Sequence, residues 1–265
     1  LDCFNKALQF KPDFYEAWYN KGNLFLDLQR HQEALDCFNK ALQFKPDFYE
    51  AWHNKGIVLK VLQRHQEALD CFDKALQFKP DFCPTWHGKG ILFLDLQRHQ
   101  EALDCFDKAL QLKPDNYQLW NGKGKFFLDL QRYQEALDCF DKALQFKPDS
   151  YRTWHGKGII FTDLQRYKEA VDCFDKALQF KPDDYQLWNS KGIVFLYLKR
   201  YQEAIDSYDR ALQLTNNQHW MAWVNRALAA SHIDGFEAAI PNYNNGLQAL
   251  QPDNPEYNEG CGFLH

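Results

Sequence analysis

The sequence has a single methionine, and it does not stand first: the chain opens Leu1-Asp2-Cys3-Phe4. An excerpt from a longer protein is therefore expected. With neither a basic n-region nor an apolar h-region, no secretory signal is visible. No apolar run approaches the roughly 18–20 residues that span a bilayer, which argues against a membrane helix. Basic excess is missing too. Lys and Arg number 31 against 36 Asp and Glu, for a net charge of −5, whereas a nucleic-acid binder carries a positive footprint. None of G-x-x-x-x-G-K-[ST], G-x-G-x-x-G or G-x-S-x-G occurs. Neither C-x-x-C nor H-x-x-x-H offers metal-ligand spacing. The expectation is a protein without catalytic activity, cofactor, metal, membrane span or nucleic-acid partner.

What is present is a repeat, and repeats are to be sought before anything else. The tract from His31 to Phe48 recurs at 65–82 with one change, Asn39 to Asp73. Close copies begin at His99, Tyr133 and Tyr167, and a looser one at Tyr201, always 34 residues apart. Trp18, Trp52, Trp86, Trp120, Trp154 and Trp188 keep that period, as do Pro12, Pro46, Pro80, Pro114, Pro148 and Pro182.

Each repeat reads as two helices. In Tyr15–Phe48 the first half carries Trp18, Gly22, Phe25 and Leu28 at helical spacing. The second half carries Ala34, Phe38, Ala41, Leu42 and Lys45 on another such stripe. Gln29-Arg30-His31 is short enough only for a tight turn. Pro46 ends the second helix, because its ring clashes with the preceding turn and it has no N–H to donate. Asp47-Phe48-Tyr49-Glu50 and Asp13-Phe14-Tyr15-Glu16 have capping-box spacing, so Asp13 and Asp47 are expected to cap the helices that follow.

Trp18, Gly22, Phe25, Ala34, Phe38, Ala41 and Pro46 sit where the 34-residue tetratricopeptide repeat (TPR) places its signature residues, and the other repeats match likewise. The chain resembles that family over essentially its whole length, with one systematic departure: Lys21, Lys55, Lys89, Lys123, Lys157 and Lys191 replace the Leu before the Gly, as in bacterial-type tandem arrays. The resemblance implies an all-α, right-handed solenoid superhelix of antiparallel helix pairs, forming one domain over 1–265. Its parts would be a partial unit at 1–14, full units at 15–48, 49–82, 83–116, 117–150, 151–184 and 185–218, a degenerate unit at 219–252 and the start of another at 253–265. The degenerate unit carries Trp223, Ala227, Phe236, Ala239, Tyr243, Gly246 and Pro252; Tyr257, Cys261 and Leu264 would open the next. Starting and stopping in mid-unit leaves Phe4, Leu8, Phe263 and Leu264 near apolar surface, so longer native sequence or end-to-end stacking of copies is expected.

The resemblance also implies that first helices line a concave groove. Its candidate residues are those outside the packing stripe. The fifth position reads Tyr19, His53, His87, Asn121, His155 and Asn189. The sixth reads Asn20, Asn54, Gly88, Gly122, Gly156 and Ser190. The ninth reads Asn23, Ile57, Ile91, Lys125, Ile159 and Ile193. The twelfth includes Leu94, Leu128 and Leu196, and the thirteenth reads Asp27, Val61, Asp95, Asp129, Asp163 and Tyr197. Isoleucine and leucine on a nominally wet face, edged by carboxylates, suggest an interaction strip. Its partner would be a protein or peptide segment, apolar with some Lys or Arg. The alternative is that the ninth and twelfth positions touch neighbouring helices. Gly88, Gly122 and Gly156 either admit a ligand closely or merely weaken their helices. Of the family's groove chemistries, the carboxylate clamp lacks its cations, with Tyr19, Pro84 and Gly88 in their places. An asparagine ladder through Asn20, Asn54 and Asn225 is broken by the three glycines.

The remaining periodic residues read as structural. The lysines before Gly are expected to bury their stems and pair with the Asp or Asn at 39, 73, 107, 141, 175 and 209. Cys3, Cys37, Cys71, Cys105, Cys139 and Cys173 hold one repeat position and are expected to be half-buried free thiols, which favours a reducing, cytoplasmic setting. His53 and His87 read as solvated groove residues. His31, His65, His99, Tyr133, Tyr167 and Tyr201 share a turn position and read as aromatic packing. The function implied is a binding scaffold within a larger protein, with self-association through uncapped solenoid ends as the alternative.

Overall fold

The computed structural model describes residues 1–249, which contain fifteen α-helices and no strand. The expectations for Pro252, Tyr257, Cys261, Phe263 and Leu264 lie outside the described residues. The chain divides into two compact halves, Leu1–Lys123 and Gly124 onward. The helices are α1 (Asp2–Phe10), α2 (Tyr15–Asp27), α3 (His31–Phe44), α4 (Tyr49–Val61), α5 (His65–Phe78), α6 (Cys83–Asp95), α7 (His99–Leu112) and α8 (Tyr117–Asp129). They continue with α9 (Tyr133–Phe146), α10 (Tyr151–Asp163), α11 (Tyr167–Phe180), α12 (Tyr185–Tyr197), α13 (Tyr201–Leu214), α14 (Trp220–Asp234) and α15 (Phe236–Ala249). Within each half a first helix packs on the second helix of its own repeat and then on the second helix of the repeat before, as α4 does on α5 and α3.

Second helices bury one face. In α3 that face is Ala34, Leu35, Cys37, Phe38, Ala41 and Leu42, the three-and-four spacing of an amphipathic helix. Phe38, Phe72, Phe106 and Phe140 are almost fully buried. Each ring fills the place of a missing side chain on a first helix: a Cβ built on Gly22 would stand 2.7 Å from Phe38 Cε1, and one on Gly56 2.6 Å from Phe72 Cε1. The neighbour that Gly22 accommodates is therefore the Phe38 ring.

In the six full repeats the turn between the two helices is built without glycine, whereas Gly235 (φ 86°) makes the turn between α14 and α15. Gln29, Gln63, Gln97, Gln131, Gln165 and Lys199 all have φ between 56° and 60°, a left-handed conformation that costs an L-residue roughly 1–2 kcal/mol. The turn closes with Gln29 N donating to Leu26 O (2.9 Å) and Arg30 N to Phe25 O (2.8 Å), which satisfies last-turn carbonyls. His31 belongs to helix α3 rather than to the turn, and Leu28 lies off the packed stripe, 51% exposed. Arg30 then grips Glu33 with two donors and stacks on Phe25, 4.7 Å from its centroid.

Between repeats, helices stop two residues before the proline, and Trp and Pro share a period for a reason the spacing alone does not give. Trp18 Nε1 donates to Pro12 O, Trp52 Nε1 to Pro46 O and Trp86 Nε1 to Pro80 O, each at 2.8 Å. Trp120, Trp154 and Trp188 repeat the bond to Pro114, Pro148 and Pro182. The capping expectation is corrected by one residue. Phe14 and Phe48 occupy the N-cap positions of α2 and α4, with no side-chain cap bond, so Asp13 and Asp47 stand one place too early. At the N-cap positions of α8 and α12, Asn116 Oδ1 accepts from Gln118 N (2.9 Å) and Asp184 Oδ1 from Gln186 N (3.0 Å), whereas Ser150 at that of α10 bonds to the Thr153 hydroxyl (2.8 Å) and not to backbone.

Candidate functional site

The site candidates occupy first helices, and their geometry is set by the second helix of their own repeat and by the neighbouring first helix. Fifth-position rings lie against the second-helix ring of their own repeat: Tyr19 on Phe38 (5.9 Å between centroids), His53 on Phe72 (5.9 Å), His87 on Phe106 (5.9 Å) and His155 on Phe174 (5.8 Å). The same side chains then reach the sixth position of the next repeat. Asn54 Nδ2 donates to Tyr19 OH at 3.1 Å, and His155 Nε2 lies 3.3 Å from Ser190 Oγ. A Cβ on Gly122 would stand 3.0 Å from His87 Nε2, and one on Gly88 3.6 Å from His53 Cε1.

This corrects the reading of the histidines as solvated. His53 is 9% exposed, and His87 and His155 are half-buried. Burial, with a smaller contribution from nearby His87, pushes the His53 pKa down to about 4; burial lowers that of His87 as well, and in His155 it outweighs an opposing Asp184 charge. All three are neutral rings at pH 7. The glycines are corrected with them: Gly88 and Gly122 make room for rings of the repeat before, and a Cβ on Gly156 would stand 2.6 Å from Phe140 Cζ. The signal was present in the sequence as size complementarity at a separation of 35, Tyr19 with Asn54, His53 with Gly88, His87 with Gly122 and His155 with Ser190.

The asparagines are similarly engaged. Asn54 Nδ2 also donates to Asn23 Oδ1 at 2.8 Å, so both its N–H groups are taken. Asn20 is exposed, Asn121 and Asn189 are half-buried, and Asn189 Oδ1 is buried without a partner.

Ile57, Ile91, Ile159 and Ile193 are half-buried, as are Leu94 and Leu128, whereas Lys125 is exposed. Two of these pairs of neighbouring first helices leave open clefts. In the first half Ile57 and Ile91 line a cleft with His53, Lys60, Phe72, Pro84, His87 and Gly88. In the second half Ile193 and Leu228 line the equivalent cleft with Leu196, Tyr197, Lys199, Tyr201, Asn225 and His232. At the edge, thirteenth-position side chains meet the start of the preceding second helix. Tyr133 OH donates to Asp163 Oδ2 (3.3 Å), Tyr167 stacks on Tyr197 (5.2 Å) and Tyr201 on His232 (4.5 Å). Asp95 pairs with Lys60 at 3.1 Å. Asp27, Asp129 and Asp163 are exposed, and Tyr197 is 58% exposed.

Elsewhere the periodic charges and thiols are structural. Lys123 Nζ reaches Asp107 at 2.5 Å and Lys191 reaches Asp175 at 2.6 Å, with Lys89–Asp73 and Lys157–Asp141 alike. Every such pair joins a first helix to the second helix of the repeat before it. Cys37, Cys71, Cys105, Cys139 and Cys173 are buried, deeper than expected, whereas Cys3 is exposed. Burial lifts the thiols of Cys37, Cys71, Cys105 and Cys173 to about 11. Among the described residues no three His, Cys, Asp or Glu converge as metal ligands, and no helix is long and apolar enough to cross a membrane.

The family model described as "Tetratricopeptide repeat" matches residues 15–48, 49–82, 151–184 and 185–215, and a second model of the same description matches 87–151. The chain belongs to the tetratricopeptide repeat family. TPR proteins are in general non-enzymatic scaffolds for protein–protein interaction. Among solved structures, the APC/C hetero-tetramer Cut9–Hcn1 is 21% identical with a TM-score of 0.72 over 85% of this chain, which spans 45% of the length of that one. PilF of Pseudomonas aeruginosa is 20% identical, with a TM-score of 0.67 over 81% of this chain and 96% of that one. YrrB, described as a TPR protein with an unusual peptide-binding site, is 21% identical, with a TM-score of 0.52 over 70% of this chain and 95% of that one. These likenesses establish the fold. A search of curated proteins finds no match to the sequence.

Proposed function

We propose that the chain is a scaffold that holds a protein or peptide segment against its first helices, with ninth-position isoleucines as the apolar contact. The observation that carries this reading is the half-burial of Ile57 and Ile91 in one half and Ile159 and Ile193 in the other. Ile159 packs in part against Ala170, Phe174 and Val194, and Ile193 against the cluster of Tyr208 and Ala222, while clefts open beside Ile57, Ile91 and Ile193. An open apolar strip edged by polar groups is the usual mark of an interaction surface. Exposed Asp27, Asp129 and Asp163 favour Lys or Arg in the bound segment. The peptide-binding site of YrrB, a protein of this fold, supports the reading by analogy of fold only.

The test is fluorescence anisotropy with labelled peptides in which apolar residues are interspersed with Lys and Arg, against wild type, Ile57→Asp with Ile91→Asp, and Ile159→Asp with Ile193→Asp. Loss of binding in the double variants is expected. Equal binding by all three proteins removes the groove. A second reading, self-association, draws on the exposed Phe236 (69%) and Leu247 (55%) of α15. Sedimentation equilibrium over a range of concentrations separates the two, since a monomer throughout rules out assembly.

A further inference from the structure

We propose that the cleft between α4 and α6 is an anchor pocket that takes one uncharged aliphatic side chain of the bound segment, with His53 hydrogen-bonding to the backbone beside it. This rests on the groove reading above and names the chemistry of one of its contacts.

The first support is His53 itself, a polar side chain more than nine-tenths buried that nonetheless lines an open cleft. Its Nδ1 lies 3.0 Å from Thr85 Oγ1, and its Nε2 has no hydrogen-bond partner among the described residues. His53 Nε2 is not one of the buried unpartnered polar atoms of the described residues; water reaches it through the cleft, and a ligand that bonds there in place of water gains about 0.5–1.5 kcal/mol net. The bond to Thr85 fixes the ring, and Phe72 packs against it tilted and Phe82 edge-on, with centroids at 5.9 and 5.4 Å. Peptide backbone suits either tautomer, because each residue other than proline offers both a carbonyl and an N–H.

The second support is the charge balance of the cleft. Ile57, Ile91, Phe72 and Pro84 make its apolar lining, and its one ammonium, on Lys60, is already paired with Asp95 at 3.1 Å. That pair is partly exposed and worth little by itself; a charged side chain entering there finds no free opposite charge in the lining and gives up hydration against Ile57, Ile91, Phe72 and Pro84. An aliphatic side chain gains burial at no such cost. The equivalent cleft of the second half has Asn225, Lys199 and His232 in its lining, and its fifth-position residue is Asn189 in place of a histidine. The cleft beside Ile193 therefore lacks the histidine of the anchor.

The probe is N-acetyl-leucine methylamide, an aliphatic side chain flanked by two amides, titrated against protein with ¹³C-labelled isoleucine methyls. The expected result is saturable shifts of Ile57 and Ile91 with a dissociation constant on the order of millimolar, as befits so small a ligand. N-acetyl-lysine and N-acetyl-glutamate methylamides should give none. His53→Leu should weaken the leucine probe about threefold to tenfold, and His53→Asn, which keeps a hydrogen-bonding group, should recover part of the loss. Ile91→Trp should fill the cleft and silence Ile57, with circular dichroism to confirm the fold. Equal shifts with all three probes, or none at Ile57 and Ile91 up to the solubility limit, overturn the anchor. If that happens while labelled peptides still bind through Ile159 and Ile193, the anchor falls and the groove stands. If peptide binding ignores the isoleucines of both halves, the groove reading falls and takes this one with it.

Discussion

Gly56 and Gly88 stand on either side of one ring, and replacing each by alanine should shift stability in opposite directions. A Cβ on Gly56 would lie 2.6, 2.8 and 3.2 Å from Cε1, Cδ1 and Cζ of Phe72, whereas one on Gly88 would lie 3.3 and 3.4 Å from Cζ and Cε1. Ordinary carbon contacts are about 3.5–4.0 Å. Gly56→Ala thus asks the ring to move by about 1 Å, and Phe72 is fully buried. Overpacking of that kind costs about 1–3 kcal/mol, against roughly 1 kcal/mol gained in helix propensity. Gly88→Ala asks for only a few tenths of an ångström. The expected result is that Gly56→Ala destabilises by about 1 kcal/mol and Gly88→Ala is neutral or stabilises by about 0.5 kcal/mol. The assay is urea denaturation followed by circular dichroism, comparing midpoints at equal slope. A Phe72→Leu background closes the cycle, because without the ring Gly56→Ala should become stabilising. Equal effects at both glycines, or an unchanged effect of Gly56→Ala in the leucine background, would refute the packing account.

Three further outcomes are expected. Gln97→Gly should stabilise by about 0.5–1 kcal/mol, since φ is 57° there and glycine carries no left-handed penalty; a lower urea midpoint would count against it. The His53 pKa lies near 4, below its ordinary 6.5, so its contribution is complete above pH 6.5 and is lost as pH falls toward 4. That loss is about 3 kcal/mol, and His53→Asn should make the fall in stability shallower over that window, leaving the contributions of His87 and His155, whose pKa values burial also lowers; an identical curve would contradict the burial of the ring. Alkylation followed by peptide mapping should label Cys3 at once and Cys37, Cys71, Cys105 and Cys173 only on unfolding, because those four thiols are buried and their pKa values lie near 11.

The helices were legible because apolar residues recur at three and four within a strict period, and Pro46 with its counterparts marks where each pair ends. The site was legible only in part. Periodicity assigns Ile57 and Ile91 to a face, but it does not report which neighbouring helix that face meets. It therefore misplaced His53, whose ring is buried by Phe72 of its own repeat and Gly88 of the next. The caps failed for a related reason. Asp47 and Glu50 have the right spacing, but the chain enters α4 one residue later, at Phe48. Register depends on where the proline segment is tied, and here the Trp52 bond to Pro46 ties it. The pairing of Lys with Asp was visible as a shared period, yet only the structure shows it to run between repeats.

The central claim is that the half-buried ninth-position isoleucines, three of them beside open clefts, grip a bound polypeptide. It is tested most directly by measuring the affinity of one labelled apolar–basic peptide for wild type, for Ile57→Asp, Ile91→Asp, Ile159→Asp and Ile193→Asp singly, and for Lys40→Asp, an exposed control on α3. Placing a carboxylate in an apolar contact should weaken binding by about tenfold or more in the isoleucine variants of the half that holds the peptide, while Lys40→Asp keeps the wild-type affinity. Binding that survives all four isoleucine changes, or that is lost equally with Lys40→Asp, would contradict the account.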